Sequence, residues 1–117
     1  MTEVASEFDA TQIAVLRSLR GGALLPQLLK VYRDEARQQL QKLAAAVAAT
    51  DATTLRNISH TLKSSSFSIG AKRVGELCAS LEAGVRNESL ADGGAALTAQ
   101  ITAAYEALLP ELEQLVT

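Results

Sequence analysis

The residue types most able to do chemistry in this 117-residue chain lie in one stretch, ISHTLKSSSFSIGA, at positions 58–71. It contains the only histidine, His60, with Lys63 three residues later and Ser64 directly after the lysine. An imidazole can be a nucleophile, a base or a metal ligand, and a nearby ammonium group stabilises an anion. Which of these roles applies depends on the direction of His60, and therefore on the elements that carry it.

Several kinds of site do not fit these residues. A metal site needs several convergent ligands, and the chain has one His, one Cys and no close carboxylate pair beside them, so we expect no metal. Serine catalysis needs a strained turn and an oxyanion hole, whereas serines 64–66 fall inside a predicted helix. The glycine pairs at 21–22 and 93–94 match no phosphate-binding loop, so no ATP site or bound cofactor is expected. If the imidazole is exposed, its combination with a nearby ammonium suits the carriage of a phosphoryl group that another protein delivers.

Composition predicts one all-α domain spanning residues 1–117. Ala and Leu dominate, aromatic residues make up 3% and Trp is absent, which favours helix. The net charge is −2 and no basic cluster could neutralise a run of phosphates, so nucleic acid is not an expected partner. Without a long apolar run or a leader pattern, we expect no direct membrane contact and a cytoplasmic location. The single cysteine, Cys78, is expected in the core, in a reducing compartment.

The apolar spacing predicts a short helix followed by four long ones. The short helix has Asp9 as its N-cap with Gln12 as the reciprocal partner, and ends at glycines 21–22. The long helices are predicted from about 23 to the break at 50–51, over 52–68, over 71–87, and from 89 or 92 onward. Short connections between long helices predict an antiparallel up-down-up-down four-helix bundle with a short N-terminal extra helix.

On the third helix, His60 points away from the apolar stripe. At about 100° per residue, Leu55, Ile58 and Leu62 fall on the opposite side of the helix. The residues on the same face as His60 are Arg56, Lys63, Ser64 and Phe67. A solvated histidine on a polar face is ordinary, and periodicity alone leaves that interpretation open. An aromatic ring on the same face indicates a surface that a partner covers.

Three segments resemble the histidine-containing phosphotransfer (HPt) domains of bacterial phosphorelays. They are HTLKSSS at 60–66, IGA at 69–71 and LCASLE at 77–82, and the similarity extends over nearly the whole chain. The resemblance implies that a histidine accepts a phosphoryl group from an aspartyl-phosphate of a receiver domain and passes it to an aspartate of a second receiver. The expected partners are therefore response-regulator receiver domains, as donor and as acceptor.

Carried over to this chain, the resemblance implies that His60 is the phosphoacceptor, through its outer ring nitrogen. It also implies that Lys63 stabilises the phosphate charge, and that Glu82 binds the inner ring nitrogen and orients the ring. The pattern supports the last role separately, because Glu82 lies at the edge of the apolar stripe where the fourth helix should meet the third. The small residues Gly75 and Ala79 on the same edge would let the two helices approach closely. Mg²⁺ is expected in the acidic pocket of the receiver.

The resemblance also implies a docking surface around His60. The residues that we expect to contribute to it are Ser64, Phe67, Arg56, Ile13 and Leu16. Family members often have glycine after the lysine, so Ser64 leaves the preference among receivers open. We expect a monomer that contacts its partners through a small, transient interface.

Two other functions stay open from the residues. One is a bundle that docks or sequesters a receiver domain without accepting phosphate. The other is a structural, dimerising bundle, which would need an apolar surface away from His60 that the pattern does not indicate. As an isolated domain the chain is not expected to be an enzyme, although its parent protein could be a hybrid histidine kinase.

Overall fold

The computed structural model of the protein describes residues 7–116, and the only regular elements within that range are helices. The predicted domain of residues 1–117 therefore extends beyond the described residues at both ends. The helices are α1 (Ala10–Arg17), a 3₁₀ turn (Leu19–Gly22), α2 (Leu24–Ala48), α3 (Ala52–Ser68), α4 (Lys72–Arg86) and α5 (Ala95–Val116). None of them is both long enough and apolar enough to cross a membrane.

Helices α2 to α5 form the predicted antiparallel bundle, in which each helix packs on two others. Helix α3 contacts α2 and α4, and α5 closes the ring by contacting α2 and α4. The connections are short, at residues 49–51, 69–71 and 87–94. The largest side chains that are fully buried in its core include Leu29, Leu43, Leu62, Leu81, Ile101, Leu108 and Leu112. Cys78 is also completely buried, as predicted.

The end of α3 is held in place by α1. The amide of Asp9 donates a 2.7 Å hydrogen bond to the carbonyl of Gly70, and Gln12 Nε2 donates one of 2.7 Å to the carbonyl of Ser68. Gly70 has a φ of +83°, and a Cβ there would lie 3.3 Å from the Asp9 carbonyl oxygen. Glycine therefore ends α3 both because of its backbone conformation and because α1 approaches so closely.

The helix boundaries follow the predictions with three differences. Asp9 caps α1 by accepting from the amides of Thr11 and Gln12, but Gln12 turns to α3 and does not complete a reciprocal cap. Helix α1 ends at Arg17, before a turn in which Arg20 and Gly21 have positive φ. Helix α5 begins only at Ala95, because the Asp92 carboxylate caps it by accepting from the amides of Gly94 and Ala96.

Candidate functional site

Helix α3 presents His60 to solvent. The helix begins at Ala52, and its N-cap is Asp51, whose carboxylate accepts from the amide and hydroxyl of Thr54. The periodicity of this helix places Leu55, Ile58 and Leu62 in the core. His60 lies on the opposite side, with 62% of its side chain exposed. The predicted outward direction of the imidazole is therefore confirmed.

The inner nitrogen of the His60 ring is held by Glu82 of α4. Nδ1 of His60 lies 2.7 Å from Oε2 of Glu82, whose side chain is only 10% exposed. An ionised carboxylate can only accept hydrogen bonds, so Nδ1 carries the proton in this contact. Nε2 consequently keeps its lone pair in the neutral ring. The ring is thus oriented with a nucleophilic nitrogen on the side away from Glu82.

Lys63 binds the other oxygen of the same carboxylate. Its Nζ donates to Oε1 of Glu82 at 2.7 Å, so one carboxylate joins the imidazole and the ammonium. The hydrogen bond from Lys63 lowers the pKa of Glu82, and that from His60 lowers it further, while burial opposes both. Glu82 is therefore ionised at neutral pH. The sequence predicted that Glu82 contacts His60 and left open that it pairs with an arginine or lysine at the helix interface, and the structure contains both kinds of contact.

Phe67 forms the apolar part of the surface beside the site. Its ring is 42% exposed and packs onto Gly75 of α4, where a Cβ would lie 2.9 Å from three ring carbons. Gly75 was predicted to allow close approach of two helices, and the space it leaves is occupied by this ring. Ser64 is also exposed on α3, with its carbonyl accepting from the hydroxyl of Ser68.

The structure contradicts the predicted docking roles of Ile13 and Leu16. Both are buried, with 7% and 8% of their surface exposed, because this face of α1 packs against the bundle. The apolar residues that the α1 region exposes are Val15 and Leu19. Val31 of α2 is also exposed, so the protein has apolar surface that the sequence pattern did not indicate.

A polar depression of about 470 Å³ lies next to the His60 ring. The residues that line it are Arg56, Asn57, His60, Thr61, Glu82 and Arg86. Arg56 was predicted to contact a partner, whereas Arg86 was missed. The spacing of Arg86 from Glu82 could have predicted its place at the site, because a residue four positions after Glu82 lies on the same face of α4.

The described residues contain no group of three or more His, Cys, Asp and Glu side chains that could hold a metal ion. The site is instead one imidazole, one buried carboxylate and several cations. This arrangement can attack an electrophilic phosphorus through Nε2 and can stabilise the charge of the group that it accepts.

Comparisons with known proteins identify the family of this chain. Residues 27–115 match the family model described as the Hpt domain. The crystal structure of histidine-containing phosphotransfer protein B (HptB) from Pseudomonas aeruginosa PAO1 is similar to this chain, with a TM-score of 0.86 and 27% sequence identity. The match covers 95% of each chain. A search of curated protein sequences found no match. With most of its length matched by the family model, the chain belongs to the Hpt domain family.

Proposed function

We propose that this Hpt domain accepts a phosphoryl group on Nε2 of His60 from the aspartyl-phosphate of one receiver domain and passes it to an aspartate of another. The observation that carries the proposal is the contact of 2.7 Å between Nδ1 of His60 and the buried Glu82 carboxylate. Because this contact occupies the inner nitrogen, Nε2 is left as the nucleophile on a solvent-exposed ring.

The transfer needs no proton to move during the attack. The lone pair of Nε2 forms the N–P bond while the bond between phosphorus and the aspartyl oxygen breaks, and the carboxylate leaves with that electron pair. The ring becomes cationic with its proton still on Nδ1, where the negative charge of Glu82 stabilises it. In the second transfer, the carboxylate of the acceptor receiver attacks phosphorus and the electron pair of the N–P bond returns to Nε2.

The domain contributes alignment and charge compensation, which are the main requirements of phosphoryl transfer. Glu82 orients the ring, and Lys63 can approach the phosphoryl group from its position beside Glu82. We further propose that the receiver supplies Mg²⁺ together with its acidic pocket. The domain is then a carrier that does not bind ATP, and any kinase activity belongs to another domain or protein.

The proposed docking surface surrounds His60 on the α3–α4 side of the bundle. It combines the exposed ring of Phe67 with Ser64 and Arg56, and it does not include Ile13 or Leu16. An apolar centre with a polar surround is typical of protein interfaces. We also propose a cytoplasmic location, with which the single free thiol of Cys78, buried in the core, is compatible.

The test is transfer of label from a purified, ³²P-phosphorylated receiver to the wild-type domain and to His60→Gln. We expect the wild type to gain an acid-labile label and His60→Gln to gain none. Thermal unfolding followed by circular dichroism should show that the variant is folded, because the substituted side chain is exposed. A wild-type domain that binds the phosphorylated receiver but never carries label would instead be a sequestering module.

A further inference from the structure

A cavity of about 430 Å³, called the end cavity below, lies at the end of the bundle that is remote from α1. It is formed where α2 ends, α3 begins, α4 ends and the connection to α5 begins, whereas α1 packs on the other end of α3. It shares no lining residue with the depression beside His60. Its volume is in the range of small-molecule sites, about 300–1,000 Å³. The end cavity is therefore a candidate site that phosphoryl transfer does not use.

The floor of the end cavity is apolar. Leu55 of α3 is buried, and Val47 of α2 and Val85 of α4 are half-buried against the core. Leu90, in the connection between α4 and α5, packs onto Gly84, where a Cβ would lie 2.6 Å from Cγ of Leu90. This contact holds the Leu90 side chain in place as a wall of the cavity. The apolar part of a ligand would be stabilised by burial against these side chains.

The charged side chains that line the end cavity are both acidic. They are Glu88 and Asp92, and no lining residue is Lys, Arg or His. Within residues 7–116, Glu88 forms no ion pair. Asp92 accepts from the amides of Ala96 and Gly94, and these hydrogen bonds lower the pKa of its carboxyl group, so it is ionised at neutral pH. The cavity thus combines a negative rim with an apolar floor.

The helix ends around the cavity add to this negative charge. Helices α2 and α4 end here, and the last carbonyl groups of a helix carry partial negative charge. Helix α2 has no basic residue in its last turn, and Arg86 in the last turn of α4 lines the depression beside His60 instead. Helices α3 and α5 begin here, but the capping carboxylates of Asp51 and Asp92 compensate their positive N-termini. The uncompensated charge is therefore negative.

We propose that the end cavity binds a small amphipathic cation, in which a protonated amine is attached to an apolar chain. The apolar chain packs between Leu90 and the two valines, and the ammonium group pairs with Glu88 and Asp92 at the rim. An anion of the same length is repelled by the rim, and a neutral molecule gains only the apolar contact. The site is independent of the proposed phosphoryl transfer, because it uses neither His60 nor the other residues of the depression beside it.

The test compares hexylammonium with hexanol and hexanoate at matched concentrations. NMR titrations follow the methyl signals of Leu90, Val47 and Val85, which line the cavity. We expect hexylammonium to bind about three- to tenfold more tightly than hexanol, as for an ammonium group beside two exposed carboxylates, and hexanoate to leave the signals unmoved. Raising the NaCl concentration from about 50 to about 500 mM should bring the affinity for hexylammonium close to that for hexanol, because salt screens exposed charges.

Variants of the exposed residue Glu88 test the charge of the rim without disturbing the core. Glu88→Gln should weaken the binding of hexylammonium about two- to fivefold and leave that of hexanol unchanged. Glu88→Lys should remove the preference for hexylammonium over hexanol altogether. The matched control is Glu35→Gln, which removes an exposed carboxylate of α2 that does not line the cavity and should bind like the wild type.

The proposal is wrong if none of the three molecules moves the methyl signals, or if the wild type binds hexanol as tightly as hexylammonium. It is also wrong if both Glu88 variants bind hexylammonium like the wild type. His60→Gln should bind hexylammonium with unchanged affinity, because the end cavity lies apart from the imidazole. A failure of phosphoryl transfer and a failure of this site are therefore separate results.

Discussion

The ring of Phe67 packs onto the backbone of Gly75 across the interface between α3 and α4. A Cβ at position 75 would lie 2.9 Å from three of the ring carbons, yet 42% of the Phe67 surface remains exposed. One face of the ring is thus supported by a helix while the rest is available to a partner. The site therefore has an apolar residue whose position depends on the absence of a side chain in the neighbouring helix.

Gly75→Ala should move the Phe67 ring and slow transfer from a receiver by about threefold or more, because exposed aromatic anchors carry much of the energy of docking. Alanine is favoured over glycine in a helix by about 1 kcal/mol, which offsets part of the lost packing, so stability should change little. Urea unfolding and single-turnover transfer measure the two effects. Ser80→Ala, an exposed change on α4, is the control, and wild-type transfer by Gly75→Ala would contradict a docking role for the ring.

Glu82→Gln should slow phosphoryl transfer by about ten- to a hundredfold, as for the loss of a hydrogen bond to a charged group. The amide oxygen can still accept from Nδ1, but it no longer balances the cationic ring, and the link to Lys63 loses its charge. NMR of the ¹⁵N-labelled imidazole should detect a larger fraction of the tautomer with the proton on Nε2. The matched control is Glu76→Gln, an exposed carboxylate of α4. An unchanged rate and tautomer in Glu82→Gln would show that the carboxylate does not orient the ring.

The protein should lose stability as the pH falls below about 4.5. The pKa values of Glu82, Asp51 and Asp92 are lowered, chiefly by hydrogen bonds from Lys63, from Thr54 and from the amide of Ala96, respectively. The unfolded chain, with ordinary pKa values of 4.5 for Glu and 3.8 for Asp, then binds more protons than the folded one. The stabilisation that these three carboxylates provide is fully present at a pH above their unfolded-state pKa values. It is lost as the pH falls through their lower pKa values in the folded protein.

Urea unfolding between pH 7 and pH 3 measures this dependence. Asp51→Asn and Asp92→Asn should each be less stable than the wild type at pH 7 and should lose less on acidification, since the carboxylate that binds the extra proton is gone. If the free energy of unfolding of both variants falls with pH as steeply as that of the wild type, these two capping carboxylates do not contribute to the pH dependence.

Tyr32 and Ser66 should show a strong energetic coupling. Their hydroxyl groups form a buried hydrogen bond of 2.8 Å between α2 and α3, and Ser66 is completely buried. Tyr32→Phe leaves the Ser66 hydroxyl without this partner and should cost about 1–3 kcal/mol, the penalty for a buried polar group that loses its hydrogen bond. The double variant Tyr32→Phe, Ser66→Ala should be more stable than the sum of the single changes predicts. If the losses of unfolding free energy in the two single variants simply add up in the double variant, the hydrogen bond contributes no coupling energy.

Within single helices, the sequence was a good guide to the structure. The apolar stripe of α3 extends over several turns, so its phase is well defined, and the outward direction of His60 followed from it. The end of α3 was equally clear, because Gly70 allows a backbone conformation that other residues avoid. The position of Glu82 at the helix interface followed from the same kind of pattern on α4.

Contacts between elements required the tertiary structure. Helix α1 has only eight residues, about two turns, which is too short for periodicity to predict which apolar side chains are covered, and Ile13 and Leu16 are in fact buried. The sequence of α4 places Arg86 on the face of Glu82, but only the alignment of α3 with α4 brings it beside His60.

The amino-acid sequence by itself determined the set of helices, the reactive imidazole and the face on which it lies, because these depend on the spacing of residues along one helix. Only the tertiary structure decided that Glu82 binds both His60 and Lys63, that Phe67 covers Gly75 and that Arg56 and Arg86 line one depression beside His60. Those contacts depend on how far one helix is shifted along another and on which side-chain conformations fit between them. Neither quantity is encoded in the period of a single helix.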